Sequence, residues 1–263
     1  MPVTAIINLR SLTGGLVPRS FHALFHPVFL NRITAGNATV GHGLHDSGGM
    51  APFSISPVMG KKMREKIVEN ETYRIRIAIL NNELEEVFLE TIARGFWDAP
   101  FDLSGLFFQV EDIVLGEEEN NIWSGRLDYE ELPSEACSSG KMTLHLVSPT
   151  AFKRGDLHYP LPEPALIFAN LARRWNLFSP VKLQEKQDHS DLSYANLDIH
   201  TEPYALRKSG TVIGAVGKLT FIMKGSEVDR CYYRTLLRFA FYSGIGVKTT
   251  QGMGMCRVIE KLT

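Results

Sequence analysis

The sequence predicts an α+β protein of two tandem ferredoxin-like (βαββαβ) domains with antiparallel sheets, over residues 1–137 and 138–263. Two observations carry this. The order strand-helix-strand-strand-helix-strand is read twice along the chain, with no repeat of the residues themselves. An acidic stretch bearing Pro, Ser and Gly, residues 117–139, separates the two runs. The length of 263 residues suits two domains of roughly 100–150 residues each.

In the first run, residues 3–10 are short and β-branched, as a strand prefers. Residues 14–18 then break the chain. Residues 21–31 place apolar side chains at helical spacing, with Pro27 expected to kink or stop the helix. A Gly-rich loop is expected over 36–49. Residues 53–59 and 73–80 alternate like a pair of strands. Residues 84–96 return to helical spacing, and acidic residues in their first turn suit the positive end of the helix dipole. Residues 105–115 read as the fourth strand, with a short extra strand around 123–127.

The second run starts with a strand at 142–147. An amphipathic helix follows at 164–178, then strands at 193–200 and 211–223. Residues 229–242 form a helix with Asp229 as candidate N-cap, and 254–261 close the unit as a strand.

Composition excludes several classes. Apolar residues make up 44% and charged residues 22%, an ordinary globular balance and not a disordered one. No apolar run approaches the ~18 residues that a membrane span needs. The first residues show no basic head followed by an apolar core, so no secretory signal is expected and the protein reads as cytoplasmic. Cys137, Cys231 and Cys256 form no C-x-x-C pair, zinc set or disulfide framework, in keeping with a reducing compartment.

The net charge of −1 is a cancellation. Residues 1–82 hold nine Lys and Arg against four Asp and Glu, residues 83–140 two against fifteen, and residues 141–263 seventeen against ten. Two basic flanks are therefore candidates for a polyanionic partner, and the acidic middle is expected to face away from it or toward a protein.

The most specific local signal runs from Ser243 to Gly254 (SGIGVKTTQGMG). Glycines at 244, 246, 252 and 254 allow positive φ and close backbone approach, and exposed N–H groups there could cradle phosphate. Lys248 would add charge, and Thr249 and Thr250 hydroxyl donors. A dinucleotide or P-loop reading fails on order, because here a helix precedes the loop and a strand follows it. A plain helix-to-strand turn with a Gly244 cap needs one glycine, not two spaced pairs.

This G-h-G-x5-G-h-G pattern (h apolar), placed after a helix near the C-terminus, resembles the signature of RAMP-superfamily proteins. KTTQGMG is similar to the version in CRISPR repeat-processing endoribonucleases. Three further stretches resemble that family: Pro149-Thr-Ala-Phe-Lys153, residues 161–180 with Arg174-Trp175-Asn176 at their centre, and Gly214-Ala-Val-Gly-Lys218. Together they span most of 148–255. The first half matches more loosely, through residues 21–24 and 44–56. The family's fold is two ferredoxin-like domains, in agreement with the order of elements.

The resemblance implies a metal-independent endoribonuclease that cuts CRISPR repeat RNA in precursor transcripts to give guide RNAs. The upstream 2′-hydroxyl attacks the scissile phosphate, leaving a 2′,3′-cyclic phosphate and a 5′-hydroxyl. Such chemistry needs a base, an acid and positive charge on the phosphorane. Histidine suits the first two roles. The resemblance points at His45 as catalytic and at His22 as its partner. Arg19, three residues earlier, is expected on the same helical face to stabilise the phosphate. His26 and His42 are lesser candidates. Many members carry a lysine a few residues after the loop histidine, and residues 50–53 here offer none. Lys153, Arg154, Arg173, Arg174, Lys248 and the loop Gly244, Gly246, Thr249, Thr250, Gly252 and Gly254 are the expected RNA contacts. No metal or cofactor is implied. The repeat RNA is met as a hairpin or a single strand, the chain is a monomer or homodimer, and effector-complex proteins are conceivable partners. The alternative is a non-catalytic RAMP-type guide-RNA-binding subunit, which would share the loop but need no histidine pair.

Overall fold

The computed structural model describes residues 1–46, 50–60, 65–132, 140–207 and 210–259, apart from the side chains of 45 and 46. Its first half contains β1 (Val3–Ser11), β2 (Gly15–Leu16), α1 (Phe25–Gly36), α2 (Ala38–Asp46), β3 (Phe53–Ile55), β4 (Lys66–Ile67), β5 (Thr72–Ile79), α3 (Asn82–Ala93), β6 (Phe101–Asp102) and β7 (Phe107–Leu115). The main sheet has the order β3-β5-β1-β7-β6, with every pairing antiparallel. Alternation decides its faces. Val3, Ala5, Ile7 and Leu9 of β1 and Ile75, Ile77 and Ile79 of β5 share one core with Phe29, Ile33 and Phe88 of the helices.

The second half contains β8 (Lys141–Thr150), β9 (Phe152–Arg154), β10 (Leu157–Tyr159), α4 (Pro164–Phe178), β11 (Leu192–Leu206), β12 (Gly210–Met223), α5 (Glu227–Ser243) and β13 (Cys256–Ile259). Its sheet runs β11-β12-β8-β13, again antiparallel throughout. Leu144, Leu146, Leu219 and Phe221 pack on Phe168, Trp175 and Tyr233. Each such fully buried large side chain contributes roughly 2–3 kcal/mol. Setting aside short β6, both sheets place the four strands of the unit in the order second, third, first, fourth. The expected boundary between 137 and 138 falls inside 133–139, outside the described residues.

Several expectations are corrected. The loop expected over 36–49 contains α2. Gly41 lies in this helix because a Cβ there would come 2.2 Å from Thr34 Oγ1 on α1, so the glycine serves close helix packing and not a turn. Pro27 does not stop the helix. It sits in the first turn of α1, where its missing N–H costs nothing. The strand expected at 53–59 is only Phe53–Ile55. The extra strand near 123–127 reduces to a bridge between Arg126 and Val3. Strands β8 and β11 run longer than expected, ending at Thr150 and Leu206. Asp229 is not the N-cap of α5. Ser226 is, and Asp229 completes its capping box from the third position. Cys231 takes part in a disulfide, which a sequence with no disulfide framework did not announce, and Cys256 is free and buried.

The two halves are joined through buried polar contacts. Arg76 of β5 donates from Nε to the Trp123 carbonyl at 2.9 Å and from Nη2 to the Phe241 carbonyl at 2.8 Å, with its guanidinium 4.1 Å from the Phe241 ring centroid. Burial pushes its pKa down to about 10, which leaves it charged at neutral pH. Ser54 of β3 donates to the Tyr242 carbonyl at 2.6 Å. These bonds hold the first sheet against α5 of the second half.

Candidate active site

The Gly-rich loop after α5 organises the site, and its backbone shows why glycine is needed. Gly246 and Gly254 have φ of +82° and +72°. A Cβ on Gly246 would stand 2.2 Å from the Ala151 carbonyl oxygen, and one on Gly254 2.1 Å from that of Ile245. Four of the loop amides are already spent. Ile245 N donates to Gly254 O, Val247 N to Ala151 O, and Gly254 N to Pro149 O. Gly246 N donates to Asn170 Oδ1 at 2.9 Å. These four N–H groups, expected to cradle phosphate, instead lace the loop onto the end of β8 and onto α4. Gly214 of β12 belongs to the same knot, since a Cβ there would lie 2.6 Å from Thr150 N. Three stretches that are far apart in sequence therefore meet at one place.

Arg174 and Thr249, two of the expected RNA contacts, are buried. Arg174 is 3% exposed. It donates from Nη1 to the Ser243 carbonyl and from Nη2 to Thr249 Oγ1, both at 2.7 Å. Desolvation lowers its pKa to about 10. It is an internal strut under the loop. Thr249 is 1% exposed, and Gly244, Gly246, Gly252 and Gly254 are buried as well, which fits them to shape the loop; Gly246 also lines the cleft beside it.

Lys153, Arg173 and Lys248 do come together. They line one cleft of about 440 Å³ with His158 of β10, Asn170 of α4 and Met50 of the first half. Arg174, the neighbour of Arg173 on α4, also borders this cleft from its buried position. Arg154 is engaged elsewhere, 3.7 Å from Glu163 and stacked on Tyr159 at 4.9 Å.

The short 3₁₀ turn Phe21–Ala23 brings His22 to this loop. The His22 ring stacks on Tyr204 of β11 at 6.3 Å and 29°. Tyr204 is 6% exposed and donates its hydroxyl to the Gln251 carbonyl at 2.7 Å. Nδ1 of His22 is sealed from solvent without a partner, and desolvation holds the ring's pKa below the ordinary histidine value. His26 Nδ1 lies 3.0 Å from the Thr250 carbonyl, which can only accept, so its proton sits on Nδ1. Thr250 thus meets the first half through its backbone. Arg19 is exposed in the turn before residues 21–23, and the helical alignment expected between it and His22 is absent, because no helix spans the two. His45 lies in the last turn of α2, not in a loop, and its side chain is outside the described residues. His42, on the same helix, is exposed. Tyr204 and His158 were not legible as site residues. The expected strand ended at residue 200, short of Tyr204, and nothing local marks His158.

Residues 144–256 match the family model described as "CRISPR-associated endoribonuclease Cas6". The fold is similar over nearly the whole chain to a solved Cas6 product complex (TM-score 0.81, 24% identity, 98% of this chain and 100% of that one). A second Cas6 product complex gives TM-score 0.75 at 26% identity, over 99% and 100% of the two chains. The chain is thus similar to Cas6 proteins, over residues 144–256 in sequence and over nearly its whole length in fold. Among curated relatives, "CRISPR-associated endoribonuclease Cas6" of Mycobacterium tuberculosis is 27% identical over 124 residues, 45% of this chain and 38% of that protein. The Streptococcus thermophilus protein of the same description is 29% identical over 121 residues, 43% and 49% of the two. The match thus spans less than half the length of these relatives. The family match ends two residues past the Gly-rich loop, at Cys256 of β13. It leaves out the histidines of α1 and α2, whose placement only the whole-chain fold likeness covers.

Proposed function

We propose that this chain is a metal-independent endoribonuclease that cuts CRISPR repeat RNA in precursor transcripts. The observation that carries the reading is the meeting of His22 with the Gly-rich loop, beside a cleft lined by Lys153, Arg173 and Lys248. Two of the similar structures are product complexes by their descriptions, which fits an RNA substrate.

The chemistry follows from the protonation states. Held below the usual histidine range, His22 is neutral at pH 7 and can accept the 2′-hydroxyl proton. The 2′-oxygen attacks phosphorus, the P–O5′ bond breaks, and His45 returns a proton to the 5′-oxygen. Lys248 and Arg173 offset charge on the phosphorane. The products are a 2′,3′-cyclic phosphate and a 5′-hydroxyl.

Incubation with the cognate repeat RNA in EDTA tests this. Cutting should proceed and leave a cyclic phosphate, and full loss of cutting in chelator overturns the mechanism. His22→Ala and His45→Ala should each lose about 10²–10⁴ in rate while RNA binding persists. Binding with unaltered RNA ends in the wild-type chain would assign it instead to guide-RNA binding without cleavage.

A further inference from the structure

The second sheet runs β11-β12-β8-β13, so β11 has a neighbouring strand on one side only. It is 15 residues long, and its outer N–H and C=O groups form an unpaired row that another strand can join. Two breaks bracket this row. The pairing with β12 slips between Tyr194 and Asn196, which leaves Ala195 as a bulge. Pro203 has no N–H to offer. Between them the regular edge is 196–202, centred on Ile199. Every residue of this edge is exposed except Ile199, which is half-buried.

Alternation gives the edge two faces. Leu197, Ile199 and Thr201 lie opposite Leu219, Gly217 and Ala215 of β12. Leu219 and Ala215 belong to the core, so these three residues of β11 are on the helix side. Leu197 is nonetheless 51% exposed. Edge strands that avoid pairing carry a lysine at such a place, and this one carries an apolar side chain. Asp198, His200 and Glu202 are on the other face. His200 Nε2 lies 2.9 Å from Glu202 Oε1. Among the described residues Asp198 has no ion pair.

A strand that pairs antiparallel with its own copy does so about a two-fold axis. With the axis normal to the sheet, opposed residues share a face, so the axis passes through a residue. Centred on Ile199, the pairing sets Asp198 opposite His200 of the second copy, twice by symmetry. It also sets Leu197 opposite Thr201, and the Asn196 amide opposite the Glu202 carboxylate. Centred on Asp198, it puts two carboxylates face to face. Centred on His200, it opposes Asp198 to Glu202. Like charges directly opposite destabilise a sheet, which leaves the register about Ile199. That residue is also the midpoint of the edge between the bulge and the proline.

We propose that β11 is the interface of a homodimer, in which two copies join edge to edge about Ile199 and extend the four-stranded sheet across both chains. The junction avoids the candidate active site. At ~3.4 Å per residue, Tyr204 lies about 17 Å along the strand from the axis, so the His22–Tyr204 stack of each copy stays outside the paired segment.

Sedimentation equilibrium of the whole chain over about 2–300 µM, the range in which a small interface dissociates, tests this. A reversible monomer–dimer equilibrium is expected, and Leu197→Lys should weaken it at least about tenfold. Cysteine crosslinking under mild oxidation reads the register, with the unsubstituted chain as the control for its own cysteines. Directly opposed Cα atoms are about 4.5–5.5 Å apart, within reach of a disulfide. Ile199→Cys should therefore link two copies. Leu197→Cys should not, because its counterpart in the second copy is about 14 Å away. A wild-type chain that stays monomeric to about 300 µM overturns the proposal and leaves the edge to an extended segment of another protein. So does a dimer that crosslinks at 197 as readily as at 199, or one that Leu197→Lys leaves intact. Neither readout depends on RNA cleavage.

Discussion

In both halves the chain crosses from the first strand of the unit to the second through a layer of helix, and the two crossovers carry different chemistry. The first holds the Phe21–Ala23 turn, α1 and α2, with His22, His26, His42 and His45. The second holds the β9–β10 hairpin and α4, with Lys153, His158 and Arg173. One topology thus presents titratable imidazoles from one half and cations from the other. The Gly-rich loop lets them act together: it is laced to its own sheet through Ala151 and Pro149, and it touches the first half through His26 and through Tyr204, on which His22 stacks. The loop works as a fastener between the crossovers.

Breaking the fastener should have the largest effect. Gly254→Ala forces a Cβ to within 2.1 Å of the Ile245 carbonyl oxygen at positive φ, so the substitution should cost at least about 4 kcal/mol or prevent folding. Urea denaturation measures this, and a loss under about 1 kcal/mol would mean that the loop can relax. Arg174→Ala should follow at about 3 kcal/mol, because the Ser243 carbonyl loses a buried, charge-assisted donor.

The neighbouring substitution sharpens the contrast. Arg173→Ala should leave stability within about 0.5 kcal/mol and weaken RNA binding several-fold, with a shallower salt dependence. If Arg173 and Arg174 gave equal losses of stability, the division between strut and contact would be wrong. Tyr204→Phe keeps the stack on His22 but loses the bond to Gln251, and should cost about 1 kcal/mol with a modest drop in cutting.

Acidity offers the mildest probe. His22 has a lowered pKa in the folded chain, so the unfolded chain binds its proton first as pH falls. Its stabilising contribution is present above the unfolded value of about 6.5 and is lost on acidification below it. The acidic limb of the cleavage profile should accordingly lie below the usual histidine range. A limb at or above that range would show that His22 is not the base.

The order of strands and helices was legible because hydrophobic period is a local property. So was the need for glycine in the loop, since four glycines in two spaced pairs exceed what a helix cap uses. The ends of elements were less legible. β11 continues to Leu206 with mostly exposed residues, and its length comes from pairing along β12, which no local pattern encodes. α2 looked like a loop because Gly41 and Gly43 resemble turn glycines, whereas Gly41 answers to Thr34 on a neighbouring helix.

The sequence by itself determined two sheets of one topology, an acidic stretch between basic flanks, and a loop that must adopt positive φ. Only the tertiary structure decided which side chains reach the cleft. Arg173 and Arg174 are adjacent, chemically alike and both border the cleft, yet burial on one side of α4 makes Arg174 an internal strut as well. Direction around a helix axis, and the partner waiting there, depend on packing between distant segments, and that information belongs to no single stretch of the chain.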